Sequence, residues 1–205
     1  LLTDGIYTYS YDANGNLIHK FGSDTVHYGY DAENRLTNIS GKYTAGFTYD
    51  VAGNRRSSNI SGTIKKYVLD INTSLPRVLM ETDNNGNVLN YYVYGLELVS
   101  RIKPNNSTEY YHTDYRGSVI AMTDVNQTVT NKYSYGTFGE VLQKFESSPN
   151  PFTYVGGFGV MDEGVGLYFM RARFYDPNTG RFVSEDPVWD VNLYPYADNN
   201  PISMI

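Results

Sequence analysis

Tyr11-Asp12-Ala13-Asn14-Gly15-Asn16-Leu17 returns as Tyr30-Asp31-Ala32-Glu33-Asn34-Arg35-Leu36 and again as Tyr49-Asp50-Val51-Ala52-Gly53-Asn54-Arg55. Each tyrosine follows the previous one by 19 residues. Leu69-Asp70 reads as a degenerate fourth copy, and Thr82-Asp83-Asn84-Asn85-Gly86-Asn87-Val88 restates the turn out of phase. That period suits two short strands and two turns, one hairpin per repeat. Tyr ends a strand, and Asp opens the turn through its own side chain. Gly15, Asn34 or Gly53, four residues after the Tyr, takes the left-handed backbone that the turn requires. Phe47-Thr48-Tyr49 shows the alternation of a half-buried strand. Hairpins stacked at this period bury one another's faces. The expected fold is all-β, a continuous curled antiparallel sheet from about residue 7 to 160, with the repeat tyrosines packed together along one face.

Composition agrees. The 205 residues include 21 Tyr, 9 Phe and 19 Gly, and 40% are hydrophobic. Tyr favours strands and buries a large ring, but its hydroxyl needs a partner. A net charge of −6 with no basic run argues against nucleic-acid binding, which needs clustered cations. No apolar stretch approaches the ~20 residues of a membrane helix. Cysteine is absent, so disulfides, thiolate metal sites and Cys nucleophiles are excluded within these residues. His19, His27 and His112 are scattered and no acidic loop has calcium spacing, so neither a metal nor a cofactor is expected. Gly156-Gly157-Phe158-Gly159 lacks the GK[ST] of a phosphate loop and reads as a glycine-rich turn. The chain begins at Leu1, as an excised segment of a longer polypeptide would.

The repeat resembles the YD repeat of the Rhs family, a group that includes toxin-complex C subunits and, more distantly, teneurins. Further elements strengthen the resemblance. Tyr110-Tyr111-His112-Thr113-Asp114-Tyr115-Arg116-Gly117-Ser118 is similar to "YYHxDxxGS". Tyr133-Ser134-Tyr135-Gly136-Thr137-Phe138-Gly139-Glu140 is similar to "YxYDxFGE", with Gly136 where Asp is usual. The run from Gly166 to Phe182 resembles "GLYYxRARYYDPxTGRF"; Ser184-Glu185-Asp186-Pro187 and Asn192 to Pro201 follow it. The resemblance implies a YD-repeat hairpin array over residues 1–105 and an Rhs core-associated segment over 106–205. It also implies a β-cocoon shell with an inward-turning C-terminal plug. The implied protein is bacterial, and secreted or displayed at the cell surface. Its partners would be its own downstream effector domain and the rest of the shell, together with a delivery or immunity protein.

The same resemblance implies aspartyl-type self-cleavage just beyond residue 205, at a "DPxGL" element. Within the terminal segment Asp176, Glu185, Asp186, Asp190 and Asp198 supply carboxylates. Two carboxylates held close share a proton, and one then activates water while the other polarises a carbonyl. The resemblance assigns that pair to Asp186 and Asp198. From residue type alone, Asp-Pro and Asp-Asn also simply open turns, as Asp176-Pro177-Asn178-Thr179-Gly180 does. Glu185 stands where family members often carry Arg. Arg171, Arg173 and Arg181, with Asp176, read as ion-pairing residues that stabilise the plug. The competing function is a non-catalytic adhesion or carbohydrate-binding module, in which exposed Tyr and Trp189 stack on sugar rings.

Overall fold

The computed structural model describes residues 1–187 and 193–203. Among these residues, fourteen strands form one antiparallel sheet in strict chain order. They are β1 (Thr8–Tyr11), β2 (Leu17–Phe21), β3 (Val26–Tyr30), β4 (Leu36–Gly41), β5 (Ala45–Tyr49), β6 (Arg55–Ile60) and β7 (Thr63–Asp70). The second half continues with β8 (Arg77–Thr82), β9 (Val88–Tyr94), β10 (Leu98–Ile102), β11 (Thr108–Thr113), β12 (Val119–Asp124), β13 (Val129–Tyr135) and β14 (Val141–Glu146). A second sheet of four short strands follows: β15 (Met161–Asp162), β16 (Tyr168–Met170), β17 (Arg173–Asp176) and β18 (Arg181–Phe182). The described helices are 3₁₀ turns at Gly156–Phe158 and Ala197–Asn199. No helix among the described residues is long and apolar enough to cross a membrane.

The repeat turn has one chemistry throughout. One oxygen of Asp12 accepts the N–H groups of Asn14 and Asn16, both at 2.9 Å. Asp31, Asp50, Asp83, Asp114 and Asp124 bind the N–H groups two and four residues on in the same way. The left-handed residue is Gly15 (φ 76°), Asn34 (φ 59°) or Gly53 (φ 83°), as the repeat predicts. Gly136, which replaces the usual Asp, keeps the same backbone turn. There Glu140 folds back so closely that a Cβ on Gly136 would lie 1.9 Å from its Oε1. Its other oxygen accepts the Phe138 N–H at 3.1 Å, the bond that Asp would otherwise make.

Most of these turns are also entered through a register shift, as between Ser10 and Tyr11, Gly29 and Tyr30, Thr48 and Tyr49, and Ser134 and Tyr135. A β-bulge bends its strand and adds right-handed twist, so bulges recurring from repeat to repeat curl the sheet. The repeat tyrosines are joined through their hydroxyls rather than ring to ring, which corrects the packing expected from the sequence. Tyr30 donates to the carbonyl of Leu17 (3.0 Å), Tyr49 to that of Leu36 (2.7 Å), and Tyr135 to that of Val119 (2.7 Å). A half-buried ring thus carries a deep hydroxyl, and each turn is tied to the one before.

One face of the large sheet is the core. Tyr9, Val26, Tyr28, Ile39, Phe47, Tyr67, Tyr92, Tyr111 and Met122 are buried there against Phe152, Met161, Leu167, Phe169 and Phe174. The large sheet ends at Glu146 rather than near residue 160, because the chain there crosses to the inner face and starts the second sheet. That crossing is held by a buried network. Arg101, 1% exposed, binds Glu109 through Nε (2.7 Å), the Pro149 carbonyl (2.5 Å) and the Ser148 hydroxyl (2.6 Å). Burial alone would raise the Glu109 carboxyl, but Arg101, Lys103 and Ser148 outweigh it and hold the group below its ordinary value.

Candidate functional site

The second sheet and the chain after it lie across the Tyr-lined face and close on the first repeat. Buried Asp176 ends β17, accepts the Asn178 N–H at 2.9 Å and pairs with Lys20 of β2, also at 2.9 Å. The Val183 carbonyl accepts the Leu17 N–H (2.8 Å) and the Tyr30 hydroxyl (3.2 Å). Tyr194 donates to the Gly15 carbonyl at 2.7 Å and to Glu185 at 3.1 Å, and its ring meets Tyr11 edge-on at 5.8 Å. A Cβ on Gly15 would fall 2.3 Å from the Glu185 carboxylate, so the first turn and the end of the chain are in direct contact.

The three arginines take separate places. Arg171, with φ 59°, donates Nε to the Pro76 carbonyl (3.2 Å) and bonds the Phe158 carbonyl, tying the second sheet to the loop before β8. Arg173 pairs with Asp186, donates to the Leu193 carbonyl (3.0 Å) and lies 3.6 Å over the Phe182 ring. Its loss of water is the main influence on its guanidinium and lowers its pKa, with Asp186 opposing. Arg181 sits 5.3 Å from the Tyr194 ring centre. The cation facing Asp186 therefore comes from β17, thirteen residues back in the chain, while the neighbouring position holds Glu185.

Asp186 is half-buried, and its N–H donates to the Leu193 carbonyl at 2.9 Å. Asp198 is exposed on the second 3₁₀ turn, with φ 49° and ψ 34°. Asp190 and Trp189 lie outside the described residues. Beyond Phe182, over which Arg173 lies, the rings of Tyr154, Tyr168, Tyr175, Phe182 and Tyr196 form an aromatic cluster. Tyr168 and Tyr175 send their hydroxyls to the carbonyls of Gly139 (2.9 Å) and Phe138 (2.7 Å), anchoring the second sheet on the Gly136 turn. Burial drives both phenols far above the usual tyrosine range.

Sequence reasoning missed two features of this region. One is the Arg101 network, in which Arg101 reaches Ser148, 47 residues on in the sequence. The other is Arg55, which meets Glu163 at 2.5 Å with both side chains buried, and stacks 3.8 Å over Phe169. Arginines on short strands look like surface in the sequence, and only the fold brings distant partners such as Ser148 and Glu163 to them.

The Teneurin YD-shell family profile matches residues 72–202. The chain is 35% identical over 98% of its length to the tRNA(Glu)-specific nuclease WapA of Bacillus subtilis subsp. natto, and covers 8% of that protein. It is 30% identical over 45% of its length to the toxin protein Tse5 of Pseudomonas aeruginosa, covering 7% of it. The crystal structure of TcdB2-TccC3-Cdc42 superposes with a TM-score of 0.66 over 97% of this chain and 13% of that one, at 16% identity. The chain belongs to the Teneurin YD-shell family, the Rhs/YD-repeat group that its motifs resemble. It spans less than a seventh of the length of each of these relatives.

Proposed function

We propose that this chain is the C-terminal part of a YD-repeat shell that encloses a toxic effector domain of the same polypeptide. In this reading residues 1–105 are shell wall, residues 106–205 are the core-associated segment, and aspartyl-type self-cleavage just beyond residue 205 releases the effector. The carrying observation is that the second sheet lies across the inner face and its end closes on the first repeat turn. That contact supports reading the first sheet as wall and the C-terminal segment as its plug. The nuclease and toxin relatives support an effector as cargo. Most tyrosines of the core face are buried, which leaves them unable to stack on sugars and weighs against the carbohydrate reading.

For cleavage, Asp186 is assigned as the ionised carboxylate and Asp198 as the acid. Asp186 takes a proton from water, the resulting hydroxide adds to the scissile carbonyl carbon, and Asp198 donates its proton to that carbonyl oxygen. Asp186 then passes the proton it took to the departing nitrogen while Asp198 recovers one from an adduct hydroxyl, and the C–N bond breaks to leave a carboxyl and an amine. Arg173 supplies beside Asp186 the cation that Glu185 cannot, and steadies the negative charge there. Delivery or immunity proteins and a secreted or cell-surface location belong to the same reading.

Limited proteolysis of the natural full-length protein tests the enclosure. The effector should resist trypsin while the shell is folded and become sensitive when urea opens it. An effector digested at the same rate in both states would overturn the proposal.

A further inference from the structure

His19 and His27, apparently scattered in the sequence, stand directly opposite each other in the β2–β3 register. They lie on the face turned away from the second sheet, since their neighbours Lys20 and Val26 face inward. Their Nδ1 atoms are 2.6 Å apart, with ring planes at 88° and centroids 4.7 Å apart. Phe21 packs against both rings, at 5.2 and 6.2 Å. Ser10 of β1 is directly across from His19, and its hydroxyl is buried with no hydrogen-bond partner among the described residues.

A neutral imidazole has one donor and one acceptor nitrogen, and an N–H···N bond prefers a separation nearer ~2.9 Å. At 2.6 Å the pair is a short hydrogen bond in which one ring donates Nδ1–H to the other; once that ring carries its proton on Nε2 instead, both Nδ1 lone pairs are free to take one ion between them. Metal–imidazole bonds are about 2.0–2.1 Å, so two nitrogens around one ion sit roughly 2.9 Å apart at a right angle and roughly 3.3 Å apart at a tetrahedral angle. The rings need to open by only a few tenths of an ångström, which rotation about Cβ supplies. Imidazole nitrogens suit late divalent transition ions, and copper binds most tightly among them.

We propose that His19 and His27 together hold one divalent late-transition-metal ion, Cu²⁺ in preference to Zn²⁺, on the outer face of the shell wall. No cluster of three or more His, Cys, Asp or Glu able to hold a metal occurs among the described residues, so water completes the coordination. The unpartnered Ser10 hydroxyl is the natural acceptor for a proton of that water. The ion cross-links β2 to β3 and so clips the first repeat hairpin from outside.

The test titrates Cu²⁺, and separately Zn²⁺, into the 205-residue protein by calorimetry, with electron paramagnetic resonance of the copper form. One ion per chain should bind, with hyperfine coupling to two nitrogens. His19→Gln and His27→Gln should each weaken binding by more than about a hundredfold, beyond the ~10–100-fold that loss of a merely supporting group costs. His112→Gln should bind as wild type does, because His112 bonds Thr123 elsewhere. The spectrum of the wild-type protein carries the test even if a variant fails to fold. Absence of saturable one-to-one binding, a spectrum without two nitrogen ligands, or full binding in both variants would overturn the proposal.

Discussion

Replacing Glu109 by Gln should destabilise the fold by about 3 kcal/mol. In the wild type Arg101 is 1% exposed and its partner carboxylate 6%, with Nε and Oε2 2.7 Å apart. Removing one member of such a pair leaves an uncompensated buried charge, which costs roughly 3–5 kcal/mol. The lower end applies because the Pro149 carbonyl and the Ser148 hydroxyl remain bound to Arg101. The crossover from the first sheet to the second hangs on those same groups, so the loss falls on the docking of the whole C-terminal segment. Urea unfolding followed by circular dichroism measures it. At a slope of ~2 kcal/mol/M the midpoint should fall by ~1.5 M. A double-mutant cycle with Arg101→Met should show coupling of about 2 kcal/mol or more. A midpoint shift below ~0.3 M, or additive single effects, would refute a structural role for the network.

Tyr49→Phe removes the hydroxyl bonded to the Leu36 carbonyl and should cost ~1 kcal/mol by the same titration, whereas exposed Tyr91→Phe should cost nothing measurable. Gly15→Ala should cost ~2 kcal/mol, because alanine is strained at φ 76° and its Cβ would collide with Glu185. Acid should loosen the turns. The Asn87 amide, followed by backbone N–H groups, lowers the Asp83 carboxyl, and the Tyr9 hydroxyl with the Tyr7 N–H holds Asp4 at about 2. A depressed carboxylate stabilises the fold above its unfolded value of ~3.9, and that contribution disappears as pH falls toward the folded value. The urea midpoint should therefore be flat from pH 7 to 5 and drop between pH 4 and 2. An unchanged midpoint at pH 3 would show that these turn bonds contribute nothing.

The sheet was legible because its code is local. Six of the turns are closed by an Asp that reaches only two and four residues ahead, so the motif and the geometry occupy the same seven residues. The turn at Asp124 escaped notice because Gln127 takes the left-handed position, φ 66°, where Gly or Asn is expected. The second sheet was illegible as strands: β15 and β18 are two residues long and β16 is three, too short to show any periodicity. Of the site, Asp186, Arg173 and Asp176 were readable as residues through their motif. That Arg173 rather than a residue adjacent to Asp186 provides the cation depends on the β16–β17 hairpin, which no spacing announces. The His19–His27 pair is similar, a product of β2–β3 register rather than of sequence distance.

The most direct measurement is the intact mass of the natural longer protein, purified fresh, in wild-type and Asp186→Asn forms. Wild type should appear as two fragments, cut shortly after residue 205 and still co-eluting. Asp186→Asn keeps the side-chain shape but cannot take the proton, so it should remain a single full-length chain, still folded, with a urea midpoint lowered only by the loss of its partly exposed ion pair with Arg173. Asp198→Asn should match it, and Arg173→Ala should cleave more slowly than wild type. A wild type that stays full length, or an Asp186→Asn variant that cuts at the wild-type rate, would contradict the account.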